Sequence, residues 1–189
     1  MYKECAVFVI ILGIDPGYAI VGYGVIEKNE KNNCRVVAYG VIETPKEENF
    51  PKRLKIIKDG LNLLIEKYQP DEIAIEELFF NDNITTGIKV AEARGVILCT
   101  AVEKLGSLYE YTPLQIKQAI TGNGRADKKQ VQYMTMAMLN LKTVPKPDDA
   151  ADALAAALCH AQTNKTMAGS SMDTLTTGNW TNRKYSPLH

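Results

Sequence analysis

AVFVIILGIDPG, residues 6–17, is the stretch that decides the fold. It is apolar from Ala6 to Ile14 and dominated by Val and Ile, which predicts a strand buried on both faces. It runs directly into Asp15-Pro16-Gly17, a turn that leaves a carboxylate at the carboxyl end of the most hydrophobic strand in the chain. The apolar run is too short to span a bilayer and has no small-residue cleavage site, so it is neither an anchor nor a secretion signal. A cytoplasmic protein with no membrane contact is expected.

Outward from this strand, Ile20–Ile26 and Arg35–Ile42 are β-branched and bounded by polar turns, and they predict two antiparallel partners in a meander. Phe50, Leu54, Ile57, Leu61, Leu64, Ile65 and Tyr68 then share one helical stripe, with Pro51 in the first turn and Pro70 closing it. Ile73-Ala74-Ile75 is a short strand ending at Glu76. A helix over Thr85–Lys104, a strand over Leu108–Tyr111 and helices over Pro113–Ile120, Asp127–Asn140 and Asp149–Ala161 complete the pattern. Three strands, then helix, strand, helix, strand and helices combine a meander with parallel crossovers. The expectation is an α/β protein of ribonuclease H-like fold, with a five-stranded mixed sheet flanked by helices. Residues 1–161 form the predicted nuclease domain. Beyond them Thr, Ser, Asn and Gly dominate, so residues 162–189 are predicted to be a disordered tail.

Composition constrains function less than placement does. Hydrophobic residues make up 46% and charged residues 23%, an ordinary balance for a globular protein, and the formal net charge is zero. Between Lys104 and Pro147, however, seven cations face two anions, a net of +5. Cys5, Cys34, Cys99 and Cys159 are too dispersed for a metal knuckle or redox pair, and three of them lie in apolar runs. They predict small buried thiols in a reducing compartment.

The carboxylates carry the chemistry. Asp15 and Glu76 end two strands expected to be parallel neighbours, and ligand sites of α/β sheets lie at that edge. Asp149 and Asp152, spaced i, i+3, project from one face at the start of an Ala-rich helix that can lie close to the sheet. Asp148 is the expected N-cap of that helix, and Glu77 should alternate to the opposite face from Glu76. Four gathered carboxylates repel one another and take up protons unless a cation neutralises them. Oxygen-only ligands select hard ions, Mg2+ or Mn2+. Two such ions can activate water and stabilise the departing oxygen in phosphodiester hydrolysis. His160 lies two turns beyond Asp152 and is expected to be a packing or surface histidine rather than a ligand.

These residues resemble the bacterial Holliday-junction resolvases of the RuvC family. The matching segments are ILGIDPG (11–17), GYGV (22–25), AIEELF (74–79), ARG (93–95), QIKQ (115–118), GNG (122–124), Lys128 and DAADAL (149–154). The resemblance implies a homodimer that cuts opposed strands of a four-way DNA junction symmetrically, in homologous recombination and DNA repair. It implies nicks with 5′-phosphate and 3′-hydroxyl ends, and cooperation with the branch-migration proteins RuvA and RuvB. It further implies metal binding by Asp15, Glu76, Asp149 and Asp152, stacking of Phe79 on an unpaired base, a role that Phe80 beside it could also take, and contacts from Lys117 and Lys128 near the scissile bond. The chain begins about seven residues ahead of the family's usual start, an extension expected to lengthen the first strand.

Three other readings compete. A nuclease of the same superfamily acting on RNA or RNA–DNA hybrid would need the same acids but not Phe79 and the lysine loop. An actin-like ATPase would share the GIDPG turn but needs a second lobe and a second glycine-rich loop. A junction-binding protein that does not cut would not need the acids.

Overall fold

The structure is a computed structural model that describes residues 8–78 and 84–163. The extension ahead of the first strand therefore lies outside the described residues, as do Phe79 and all of the predicted tail beyond Thr163. The strands are β1 (Phe8–Asp15), β2 (Ile20–Asn29), β3 (Cys34–Glu43), β4 (Glu72–Glu76) and β5 (Tyr109–Tyr111). The helices are α1 (Phe50–Tyr68), α2 (Ile84–Leu105), α3 (Pro113–Thr121), α4 (Lys128–Met138) and α5 (Asp148–Thr163). The sheet order is β3-β2-β1-β4-β5, antiparallel across the meander and parallel from β1 through β4 to β5. That is the expected mixed sheet. Gln162 and Thr163, assigned to the tail from composition, still belong to α5.

Local chemistry fixes the helix starts. Asn49 caps α1 by accepting from the Lys52 amide at 3.1 Å, with proline in the first turn. Thr112 with Gln115, and Asp127 with Gln130, close reciprocal capping boxes on α3 and α4. Asp148 departs from expectation: α5 begins at this residue, directly after the cis Lys146–Pro147 bond, so its carboxylate is free for other partners.

The period-two alternation of the strands divides the core into two layers. Leu12, Ile14, Val21, Val25, Ile73 and Ile75 face α1 and α2. Ile11, Ile26 and Ala74 face α5, which is buried along nearly its whole length by alanines. Small residues on both sides let α5 lie close against the strands. A Cβ on Gly13 would stand 2.1 Å from the carbonyl oxygen of Ala153, and one on Gly22 would stand 2.0 Å from that of Asp149. This close approach carries the start of α5 to the carboxyl end of β1.

Of the four cysteines, Cys159 is buried and Cys34 half-buried, but Cys99 is exposed on α2, against the expectation of buried thiols. The apolar run around Cys99 belongs to an amphipathic helix whose outer face it shares.

Candidate active site

The parallel ladder pairs Ile14 with Ile75, so Asp15 and Glu76 follow as the next residue of each neighbouring strand. Asp15 is two residues beyond Gly13, and Glu76 two beyond Ala74, and both of those residues face α5. The two acids therefore point to the layer where α5 begins with Asp148, Asp149 and Asp152. The expected convergence is present.

Electrostatics register the crowding. Burial raises the Asp15 carboxyl well above the carboxylate range, reinforced by the charges of Glu76, Asp152 and Asp149 and opposed by Lys128. Glu76 is pushed up to about 7, by burial first and then by Asp152, against the pull of Lys117 and Lys128. Burial also raises Asp152, and its hydrogen bond from Lys128 works against the rise. Among the described residues no three His, Cys, Asp or Glu side chains stand close enough to form a ready-made metal cage. The four acids feel one another without closing around a centre.

A cation on the protein itself occupies part of that space. Lys128 Nζ lies 2.9 Å from Asp152 Oδ2 and 3.7 Å from Asp148 Oδ2, and Lys146 donates to Asp148 at 2.6 Å. Burial disfavours the Lys128 ammonium, but the hydrogen bond and charge of Asp152, with Asp148 and Asp15 behind it, hold its pKa above the usual lysine value. Lys117, on α3, and Lys128 line one cavity of about 240 Å³ together with Glu76, Asp152, Pro113 and Ile116. Between them the 122–127 loop is pinned by Gln118, which donates to Gly122 O at 2.9 Å and accepts from the Gly124 amide at 3.0 Å. The +5 tract does not form one solvated face. Lys104, Lys128 and Lys146 are in ion pairs, while Lys117, Arg125, Lys129 and Lys142 are in none among the described residues.

His160 resolves as a core residue outside the acidic site. It is fully buried, with Nε2 at 2.7 Å from Glu72 Oε2 and Nδ1 at 2.6 Å from the Tyr111 hydroxyl. An ionised Glu72 accepts only, so in the neutral ring Nε2 donates to it and Nδ1 accepts from Tyr111. This link between α5, β4 and β5 was not legible in the sequence, where its members are up to 88 residues apart. A histidine inside an alanine run was the one available signal.

A larger cavity of about 680 Å³ lies at the other end of α5, against the β2–β3 turn, and carries no acid. Among the described residues no helix is long and apolar enough to cross a membrane.

This sheet, with acids ending β1 and β4 and heading the helix that covers them, defines a ribonuclease H-like protein with a carboxylate-lined site. The family profile "Crossover junction endodeoxyribonuclease RuvC" matches residues 11–160. Relatives bearing that description include one from Clostridioides difficile, 54% identical over 82% of this chain and 92% of its own. Another, from Alkaliphilus metalliredigens, is 57% identical over 80% of this chain and 92% of its own. Thermus thermophilus RuvC, solved in complex with a Holliday junction substrate, superposes with a TM-score of 0.78 at 34% identity, over 84% of this chain and 96% of that one. The yeast mitochondrial Holliday junction resolvase shares the fold at a TM-score of 0.60 and 17% identity, over 80% of this chain and 78% of its own. The chain belongs to the RuvC family of crossover junction endodeoxyribonucleases, hydrolases that act on phosphodiester bonds.

Proposed function

We propose that the chain resolves four-way DNA junctions in recombination and repair, by paired, metal-dependent cuts that leave 5′-phosphate and 3′-hydroxyl ends. One observation supports the assignment of the site: Asp15 is electrostatically coupled to Glu76, Asp149 and Asp152 at one sheet edge, and Glu76 and Asp152 line a cavity with Lys117 and Lys128. The donor set is all oxygen and carries more negative charge than its buried setting tolerates, which fits hard divalent cations, two Mg2+ with Mn2+ as a substitute. When bound, such ions supply an activated water and neutralise the departing oxygen. Asp15 and Glu76, fixed on the sheet, and Asp149 and Asp152, fixed on α5, would hold them. Lys117 and Lys128 meet the backbone phosphates beside the cut, and Phe79 stacks on an unpaired base at the crossover. Lys128, now bonded to Asp152, would free that carboxylate on engaging a phosphate.

Symmetric cutting needs a twofold homodimer. The face of α2 that looks away from the core supports it, with Ile88 and Val102 53% and 44% exposed, and Gly95 and Cys99 between them open to solvent. Ile97 on the same helix turns the other way and is 1% exposed, in the monomer core. Cooperation with RuvA and RuvB, in the cytoplasm, completes the reading. The experiment offers synthetic four-way junction, linear duplex and RNA–DNA hybrid with Mg2+, with and without chelator. Junction alone should be cut, symmetrically and only with metal; equal cutting of the hybrid would transfer the chain to the RNA-directed reading.

A further inference from the structure

Tyr18 lies three residues beyond Asp15, on the other side of the sheet from Lys128. Its ring packs into the α1–α2 layer, whereas Lys128 bonds to Asp152 of α5. Two cations converge on that ring: the Arg53 guanidinium carbon is 4.7 Å from its centroid and Lys89 Nζ is 5.7 Å from it. Arg53 comes from the first turns of α1 and Lys89 from the early part of α2, so three separate segments build the arrangement. Arg53 is oriented as well as attracted. Its Nε donates to Thr44 Oγ1 at 2.8 Å, and that hydroxyl donates to the Tyr18 carbonyl at 2.7 Å.

Neither cation has an ion-pair partner among the described residues, unlike Lys52, Lys55 and Lys58 on the same helix as Arg53. Two like charges drawn to one ring repel each other, and the attraction of the ring offsets this only in part. An anion placed between them removes the repulsion. The start of α1, whose Phe50 ring lies 6.2 Å from that of Tyr18, adds the positive end of its dipole.

We infer that Tyr18, Arg53 and Lys89 form a second phosphate-contacting site, which holds the DNA backbone on the α1–α2 side of the sheet edge while Lys117 and Lys128 hold it on the α5 side. The two basic sets straddle Asp15, so a strand gripped by both passes across the acids. The inference rests on the junction-binding reading above and deepens it.

The test is junction binding in chelator, where nothing is cut, over a series of salt concentrations. Each lost phosphate contact lowers the slope of log K on log salt by about 0.9. Lys89→Gln should lower it by that amount with an unchanged thermal midpoint. Tyr18→Leu should lower it too, because both cations lose their seat, whereas Tyr18→Phe should keep the wild-type slope. Lys31→Gln, an exposed lysine in the distant β2–β3 turn, serves as the control and should not change it. An unchanged slope for Lys89→Gln, with the slope lowered in Lys117→Gln, would overturn this site and leave the junction reading standing. A wild-type chain that binds no junction would remove both.

Discussion

Asp15 and Glu76 trade stability for charge. Each carboxyl takes up a proton more readily in the fold than in the unfolded chain, so the native state binds more protons and stability falls as pH rises. For Glu76 the loss runs from its ordinary value of 4.5 to about 7. Thermal midpoints measured in chelator should therefore decline across that range, and Glu76→Gln should flatten the decline. Asp15→Asn should raise the metal-free midpoint at neutral pH for the same reason, although it removes a proposed metal ligand. A lower midpoint would mean that Asp15 is held by partners other than its like-charged neighbours. These two acids were legible in the sequence because each ends an apolar strand, where a charge without a task is costly. Lys128 was legible, through the resemblance, as a contact near the scissile bond, but its pairing with an acid of the site was not. Its bond to Asp152 joins the starts of two helices that no spacing rule brings together.

At the scale of elements, the site depends on where α5 sits. Gly13 and Gly22 let it approach the sheet, and the Glu72–His160–Tyr111 link fixes it along its length. A methyl group on Gly22 would have to displace the Asp149 carbonyl, which is 2.0 Å from the place it would occupy. Gly22→Ala should therefore slow junction cleavage roughly 100-fold, the scale of effect expected when reacting groups shift by about 1 Å. A Gly22→Ala variant with wild-type turnover would show that α5 can move without consequence. His160→Ala empties a fully buried ring site and leaves two polar partners unmet, so its midpoint should drop by the equivalent of roughly 3–5 kcal/mol. Strand and helix positions were readable from periodicity, since burial on alternate faces and helical stripes are local patterns. The buried link was not, because its members pair across the fold. The helix start was misplaced at Asp148 because an acid before an alanine run reads equally as a cap or as the first residue of the helix.

At the scale of the whole molecule, a net charge of zero conceals a division of labour. Acids gather at one edge of the sheet, basic residues stand on either side of it, and an apolar stripe on α2 faces outward. If that stripe joins two copies, Val102→Glu should leave the fold intact and yield a monomer in sedimentation at tens of micromolar. Such a monomer should nick junctions without coordinated second cuts. A dimer that survives both Val102→Glu and Ile88→Glu would place the contact elsewhere. The most direct measurement of the central claim takes the four single amide variants, Asp15→Asn, Glu76→Gln, Asp149→Asn and Asp152→Asn, and determines junction binding and Mg2+-dependent cleavage for each. Removing one holder of transition-state charge should lower the cleavage rate on the order of 1000-fold in every variant while junction affinity stays near wild type. Near-normal turnover in any two of the four would contradict the site.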